Sequence, residues 1–278
     1  MAVTLLERML SRYAVQTVEA RDQALREVMQ EIALAGLNRA GFFERAAFYG
    51  GTCLRIFHGL PRFSEDLDFS LLQADETFSL EPFFKAVKAE FTALGLDVEF
   101  VQKHKTAESQ IASAFLKSNT QVFDIRVGGS RQLKIKFEVD TLPPSGFETE
   151  QRLLLQPFSF HVRCFALPDL FAGKLHALLY RQWKNRVKGR DWFDFEWYVR
   201  NGVKPNIRHF SQRALDSGDL SGADEVTSPG ELQALLRKRI HTLDIQSAKQ
   251  DVIRFLADPS ALDIWSAEYF SQLVDRLG

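Results

Sequence analysis

The stretch Phe48-Tyr49-Gly50-Gly51-Thr52, followed by Ser64-Glu65-Asp66-Leu67-Asp68-Phe69-Ser70, decides the fold of this chain. Residues 46–49 are apolar like a short strand, and residues 52–58 have helical spacing, so the glycine pair predicts a turn from strand to helix. A backbone without Cβ atoms can approach a phosphate closely, and the amides at a helix start can bind it. An ordinary tight turn between strand and helix is the alternative.

Asp66 and Asp68 lie two residues apart in a predicted strand, residues 66–71. Residues at this spacing share one face of a strand, about 6.5 Å apart, so Leu67 and Phe69 are expected to point into the core. Asp is disfavoured in strands, and two carboxylates on one face suit Mg²⁺, a hard ion that is normally shared with substrate phosphates. An acidic solvent face on an edge strand is the alternative.

A third carboxylate is expected on a neighbouring strand, because sites for phosphoryl chemistry with two metal ions usually have one more acidic ligand. The stretch Lys134-Ile135-Lys136-Phe137-Glu138-Val139-Asp140 alternates charged and apolar residues and predicts such a strand. Glu138 and Asp140 are both candidates, and a solvated face with paired charges is the alternative. We favour Glu138 because it lies deeper within the strand.

Lys174 lies in the middle of an apolar stripe on a predicted helix that begins near Pro168. A lysine on the buried side of a helix is costly unless its ammonium group reaches an anion, which makes Lys174 a candidate for binding nucleotide phosphates. A lysine that extends past a short helix end is the alternative. The next predicted helix starts at Asp191, which is expected to cap it, with Asp194 three residues later.

Between these two helices, residues 181–190 contain five basic residues and no acid. Clustered cations around Trp183 suit contact with phosphates and stacking on an unpaired base, and a solvated loop is the alternative. The basic residues are Arg181, Lys184, Arg186, Lys188 and Arg190.

The composition of the chain excludes several classes of protein. It has 278 residues, of which 45% are hydrophobic, and 35 Lys and Arg residues against 36 Asp and Glu give a net charge of -1. This indicates a globular protein that does not coat nucleic acid by bulk charge. The two cysteines, Cys53 and Cys164, are far apart in sequence and make a disulfide framework or a zinc site improbable. No apolar run is long enough to span a membrane, and charged residues near the N-terminus do not fit a signal peptide, so we expect a cytoplasmic protein.

The remaining pattern predicts an α/β N-terminal part and a helical C-terminal part. One long helix or two in series are expected over the first 38 residues, and another helix over residues 81–94. From Pro168 onward the chain reads as helical, apart from a turn-rich stretch at residues 216–230. We therefore expect two domains, residues 1–165 and 166–278. Further strands are expected at residues 96–101, 111–116, 122–127, 133–139 and 158–165.

Five features of the sequence are taken together: the Gly50-Gly51-Thr52 turn, the motif Arg62-x-Ser64-x-Asp66-Leu67-Asp68-Phe69, the strand at Glu138, Lys174, and Arg190-Asp191-x-x-Asp194. This combination resembles the AbiEii/AbiGii toxin family of bacterial toxin–antitoxin and phage-defence systems. The resemblance covers about residues 45–200. It implies an α+β (α/β) protein, in which a nucleotidyltransferase-fold lobe with a mixed sheet and flanking helices is followed by a C-terminal helical lobe.

The resemblance also implies an activity. A Mg²⁺-dependent nucleotidyltransferase moves a nucleoside monophosphate from a nucleoside triphosphate to an acceptor, and some members of the family modify the 3′ acceptor end of tRNA and block translation. It implies these roles: Asp66, Asp68 and Glu138 bind Mg²⁺; Gly50, Gly51, Thr52, Arg55, Ser64 and Lys174 bind the triphosphate; Asp191 or Asp194 orients Lys174 or serves the acceptor.

The expected partners are therefore a nucleoside triphosphate, an RNA acceptor and a cognate antitoxin protein, with no membrane. Two alternatives remain open. The enzyme could add nucleotides to a protein or a small molecule, or the chain could be a nucleotide-binding module without catalytic activity. The intact Asp66, Asp68 and Lys174 argue against the second alternative.

Overall fold

The computed structural model describes residues 4–102, 120–127, 133–181 and 187–277. Contacts within the chain divide it into two compact units. The sheet unit comprises the described parts of Met1–Gly59, Phe63–Pro143 and Thr149–Cys164. The helical unit comprises Leu60–Arg62, Pro144–Glu148 and the described part of Phe165–Gly278. The chain therefore leaves the first unit at Leu60 and returns to it at Phe63.

A mixed sheet of seven strands forms the centre of the described sheet unit, in the order β3-β4-β5-β2-β1-β7-β6. Strand β2 runs antiparallel to β1 and parallel to β5, and β1 runs parallel to β7. The strands are β1 Ala46–Tyr49, β2 Asp66–Leu71, β3 Val98–Gln102, β4 Thr120–Val127, β5 Leu133–Asp140, β6 Thr149–Leu154 and β7 Phe160–Phe165.

Strand β2 has the alternation expected from its sequence. Leu67 and Phe69 are fully buried, whereas Asp66 and Asp68 are half-buried on the other face. The ring of Phe69 packs against the rings of Phe42 and Phe48, with centroids 5.0 and 5.2 Å away. Aromatic packing on one face of β2 thus fixes its register, and the same register sets where the two aspartates lie.

Helices of the sheet unit flank this sheet. The N-terminal region forms two helices rather than one, and the helix expected over residues 81–94 forms a short 3₁₀ turn, Glu81–Phe83, followed by α4. The helices are α1 Leu5–Leu10, α2 Val18–Arg39, α3 Gly50–His58 and α4 Phe84–Ala93.

The helical unit packs around aromatic side chains. Trp192 packs against Phe270 with centroids 4.9 Å apart, and both are buried. The buried carboxylate of Glu196 accepts hydrogen bonds from Trp265 Nε1 at 2.7 Å and from the Tyr269 hydroxyl at 2.8 Å, so its charge is solvated internally. The helices are α5 Leu167–Tyr180, α6 Gly189–Arg200, α7 Ile207–Asp216, α8 Pro229–His241, α9 Ile245–Val252 and α10 Ala267–Val274.

Two details of the sequence interpretation are wrong. Strand β6 was not expected, because its sequence, Thr149-Glu150-Gln151-Arg152-Leu153-Leu154, is mostly polar. It is the last strand in the sheet order and its side chains are largely exposed, so it lacks the apolar face that marks an inner strand. Asp191 was expected to cap α6, but that helix begins at Gly189 and Asp191 lies within its first turn. The strand expected at residues 111–116 falls outside the described residues.

No helix in the described part of the chain is both long enough and apolar enough to cross a membrane.

Candidate active site

Gly50 begins α3 and lies against Asp68. Its φ of +83° is in the left-handed region that favours glycine. A Cβ atom at this position would collide with the carboxylate of Asp68, the register partner of Tyr49. Gly50 is therefore required both by its own backbone conformation and by the space that Asp68 occupies.

Gly51 and Thr52 follow in the first turn of α3. The cap residue Tyr49 gives no side-chain hydrogen bond to the amides of this turn, and such amides have no partner within their own helix. Thr52 is fully buried, and its hydroxyl donates to the backbone carbonyl of Asp66. The Thr52 side chain therefore ties the start of α3 to the strand that carries the aspartates.

The carboxylates of β2 and β5 lie side by side. The parallel register pairs Asp66 with Lys136 and Asp68 with Glu138, and neighbouring strands are about 4.8 Å apart. Lys136 Nζ forms an ion pair with Glu138. Burial alone would lower the pKa of Lys136, but the negative charges of Glu138, Asp66 and Asp68 outweigh it and raise that pKa. One ammonium group thus lies in the field of three carboxylates.

Asp140, the other candidate for a third carboxylate, has a different position. It pairs in register with Ser70, beyond the two aspartates of β2. Its Oδ1 accepts a hydrogen bond from the amide of Leu142 at 3.1 Å, which ends the strand. Glu138 is therefore the better placed of the two to join Asp66 and Asp68.

The side chains on the face of β2 and β5 that carries Asp66, Asp68 and Glu138 are chemically suited to bind Mg²⁺. Asp66, Asp68 and Glu138 offer hard carboxylate oxygens, and the field that raises the pKa of Lys136 is one that favours a cation. Within the described residues no group of three or more His, Cys, Asp and Glu side chains is placed to hold a metal ion by itself. Mg²⁺ in nucleotide enzymes typically takes one or two carboxylates and completes its shell with water and substrate phosphates.

Arg55 and Ser64, both expected to bind the triphosphate, have protein partners. Arg55 Nε donates to Glu27 Oε2 at 2.9 Å, and its guanidinium group lies 4.8 Å from the centroid of the Phe63 ring. The backbone carbonyl of Ser64 accepts a hydrogen bond from Gln30 Nε2 at 3.1 Å. Helix α2, which carries both Glu27 and Gln30, therefore holds the two segments that bear Arg55 and Ser64.

Lys174, Asp191 and Asp194 form one cluster in the helical unit. Lys174 Nζ lies 2.7 Å from Asp191 Oδ1 and 2.8 Å from Asp194 Oδ2. The side chain of Lys174 is 15% exposed, and that of Asp194 is fully buried. The lysine that interrupts an apolar stripe on α5 thus reaches two carboxylates of α6.

The charges of this cluster stabilise each other. Burial alone would lower the pKa of Lys174, but Asp191 and Asp194 raise it. Burial alone would raise the pKa of Asp191, but the positive charges of Lys174, Arg181 and Lys188 lower it to about 2. Lys174 is therefore a permanent cation and Asp191 a permanent anion near neutral pH.

Arg62 belongs to the same cluster, although its place in the motif was the only sign of a role in the sequence analysis. Its Nε and Nη2 atoms donate to Asp194 Oδ1 and Oδ2, both at 2.6 Å. The side chain is only 2% exposed. The two residues are 132 positions apart in sequence, and no local pattern could have paired them.

The described basic residues between α5 and α6 differ in exposure. Arg181 is exposed, and the guanidinium group of Arg190 lies 4.4 Å from the centroid of the Phe255 ring. Burial lowers the pKa of Lys188 to about 8, with Arg181, Arg190 and Lys174 adding to the effect and Asp191 opposing it. Lys184, Arg186 and Trp183 lie outside the described residues.

Solved structures with nucleotidyltransferase folds are similar to the whole chain. MenT4, a nucleotidyltransferase toxin from Mycobacterium tuberculosis H37Rv, is 18% identical, with a TM-score of 0.61 over 100% of this chain and 89% of that one. JHP933 from Helicobacter pylori is 17% identical, with a TM-score of 0.54 over 92% and 89%. A putative nucleotidyltransferase from H. pylori is 18% identical, with a TM-score of 0.52 over 91% of each chain.

The chain therefore has the nucleotidyltransferase fold. The family described as "Nucleotidyl transferase AbiEii toxin, Type IV TA system" matches residues 32–276. The chain belongs to this family of nucleotidyltransferase toxins. The comparison with curated proteins gave no match.

Proposed function

We propose that this protein is a Mg²⁺-dependent toxin that transfers a nucleoside monophosphate from a nucleoside triphosphate to RNA, with the 3′ end of tRNA as the acceptor. The observation that carries the proposal is the acidic face in the sheet unit. Asp66 and Asp68 share it with Glu138, and Gly50 lies directly against Asp68. An acidic face next to a helix start suits a nucleotide whose phosphates arrive with a divalent cation.

In this proposal, Asp66, Asp68 and Glu138 hold Mg²⁺, which when bound polarises the α-phosphate and favours ionisation of the acceptor hydroxyl. The amides of Gly50 and Gly51 bind phosphate oxygens, and Thr52 keeps that turn in register with β2. Ser64 and Arg55 are assigned to the triphosphate by the family resemblance. Lys174 offsets the charge of the pyrophosphate leaving group, because it remains a cation near neutral pH.

The RNA acceptor is supported by the charge of the helical unit. Arg181 follows the end of α5, Lys188 precedes α6 and Arg190 is the second residue of α6. Lys184 and Arg186 complete the basic stretch in the sequence. A chain with a net charge of -1 has to attract a polyanion through local charge. We further propose that the activity blocks translation in the cytoplasm, serves phage defence, and is neutralised by a cognate antitoxin.

The experiment supplies the purified protein with Mg²⁺ and one α-³²P-labelled triphosphate at a time, in the presence of total RNA or of lysate protein. We expect the tRNA fraction to be labelled, and Asp68→Asn, which keeps the shape of the side chain, to lower the rate by about 10²-fold or more. Labelling of lysate protein alone would instead establish the alternative acceptor. The absence of label with any triphosphate, or full activity of Asp68→Asn, would contradict the proposed chemistry.

The acceptor is tested separately by changing Lys184, Arg186 and Lys188 together to Gln. RNA binding should weaken, and each lost phosphate contact should reduce the log-log slope of affinity against salt by about 0.7 to 0.9. Arg237→Gln is a control for the loss of a surface cation, because Arg237 lies outside the basic stretch in sequence and pairs with Asp275 on the surface of the same unit. Unchanged RNA binding by the triple variant would contradict the assignment.

A further inference from the structure

The carboxylate of Asp194 is buried and is held by two cationic side chains. Its Oδ1 accepts from Arg62 Nε at 2.6 Å, and its Oδ2 accepts from Arg62 Nη2 at 2.6 Å and lies 2.8 Å from Lys174 Nζ. The side chain is fully buried. Asp194 therefore acts through its two cationic neighbours and not on an acceptor hydroxyl.

Two carboxylates hold the ammonium group of Lys174 and leave one of its N–H donors for another acceptor. A lysine carries three N–H donors, and two of these point to Asp191 at 2.7 Å and to Asp194 at 2.8 Å. The third donor remains for another oxygen. The two carboxylates thus fix the direction of that donor, provided that both stay in place.

Arg62 determines whether Asp194 can hold Lys174 in this orientation. Arg62 and Lys174 balance the negative charges of Asp191 and Asp194 within one buried cluster. Without Arg62, Asp194 would be left with the ammonium group of Lys174, which it shares with Asp191. Asp194 would lose two of its three donors and the field around Lys174 would become more negative, which opposes a phosphate.

We propose that Arg62 is a positioning residue for the nucleotidyl transfer proposed above: it fixes Asp194, cancels its charge, and thereby lets Lys174 present its third N–H to a phosphate oxygen of the triphosphate. The inference rests on the proposed function and adds a residue to it. Arg62 does not touch the nucleotide, because its side chain is 2% exposed and its fork is filled by Asp194.

Four variants test the inference: Arg62→Met, Arg62→Lys, Asp194→Asn and the double variant Arg62→Met/Asp194→Asn. For each we would measure kcat and KM with the triphosphate that labels RNA best, together with the melting temperature. Arg62→Met should lower kcat by about 10²-fold, the usual effect of a misplaced catalytic group. Arg62→Lys should recover part of this loss, because an ammonium group restores the charge without the bidentate fork.

The double variant distinguishes an action of Arg62 through Asp194 from a direct contact between Arg62 and the substrate. If Arg62 acts only through Asp194, removing it from the Asp194→Asn protein should change kcat by less than about threefold, since the carboxylate that Arg62 holds is already absent. A double variant much slower than Asp194→Asn would mean that Arg62 contacts the substrate itself, and would overturn the inference. This comparison holds even where Arg62→Met alone fails to fold because the buried Asp194 has lost two of its three donors.

A control variant accounts for loss of stability alone. Arg239→Met removes the hydrogen bond of 3.2 Å from Arg239 Nε to the carbonyl of Leu178 in the same unit. It should lower the melting temperature and leave kcat and KM unchanged. If Arg62→Met behaves in the same way, Arg62 is purely structural and the inference is wrong while the proposed function stands. If the wild-type protein labels no acceptor with any triphosphate, the proposed function fails, and this inference fails with it.

Discussion

Changing Gly50 to Ala should damage both the stability of the sheet unit and the activity, whereas changing Gly59 to Ala should damage stability alone. Both glycines flank α3 and have a positive φ, +83° at Gly50 and +74° at Gly59. The difference between them is the surroundings. A Cβ atom at Gly59 meets nothing within 4 Å, and one at Gly50 collides with the carboxylate of Asp68.

The magnitudes follow from these two facts. A left-handed conformation costs an L-residue about 1–2 kcal/mol, and the stiffer unfolded chain of an Ala variant returns about 0.4–1 kcal/mol. Gly59→Ala should therefore lower the free energy of unfolding by about 1 kcal/mol. Gly50→Ala carries the same cost and must also push Asp68 off its rotamer, for about 1 kcal/mol more. Displacement of Asp68 should lower the transfer rate by about 10²-fold.

Urea unfolding and labelled-nucleotide transfer would measure the two effects. The same pair of substitutions in an Asp68→Ala background supplies the control, because removal of the carboxylate removes the collision. There, the extra loss of stability in Gly50→Ala should become smaller, with a remainder from the Cβ atom of residue 68, which would lie 3.2 Å from the new Cβ atom. The argument is refuted if Gly50→Ala keeps near-normal activity, or if its extra cost is as large without the Asp68 carboxylate as with it.

Three further predictions follow from the buried charges and thiols. Lys174→Met keeps the apolar stem but takes the shared ammonium group from Asp191 and Asp194, so its melting temperature should fall. Where the variant is folded, its transfer rate should fall by orders of magnitude; unchanged turnover would make Lys174 a structural residue. The pKa of Lys188 is lowered to about 8 in the folded protein, from an ordinary value near 10.5. Between these two pH values the unfolded chain binds more protons than the folded protein does. The contribution of Lys188 to the free energy of unfolding should therefore increase as the pH rises through this range. Melting temperatures of wild type and Lys188→Met at pH 7.5 and pH 9.5 would measure this, and a constant difference would contradict it. Burial and contact with Cys164 raise the pKa of the Cys53 thiol, so iodoacetamide should label Cys53 only after denaturation; rapid labelling of the native protein would contradict the burial.

The parts of the fold that could be predicted from sequence are those with a local signal. Strand β2 alternates charged and apolar residues from its first residue, and its boundaries are as expected. Lys174 was recognisable because a charge inside an apolar stripe requires a partner. The sequence suggested a phosphate as that partner, and the structure gives Lys174 two carboxylates as well.

The parts that could not be predicted depend on contacts between distant segments. Nothing near Arg62 indicates that it pairs with Asp194, and the choice between Glu138 and Asp140 required the register of β5 against β2. Strand β6 escaped notice because an exposed terminal strand carries little apolar pattern. Each of these features depends on which distant segments lie next to each other in the fold. The periodicity of side chains along the sequence carries no information about such pairing.

The nearly neutral net charge of -1 conceals opposite local charges in the two units. On the acidic face of the sheet unit, the negative charges of Glu138, Asp66 and Asp68 raise the pKa of Lys136, so that face favours a cation. In the helical unit, Lys174 and Arg62 contact Asp191 and Asp194, and Arg181, Lys188 and Arg190 add further positive charge near Lys174 and Asp191. Local positive charge attracts phosphates, and local negative charge attracts a divalent cation. A balanced overall composition is therefore no argument against a polyanionic acceptor.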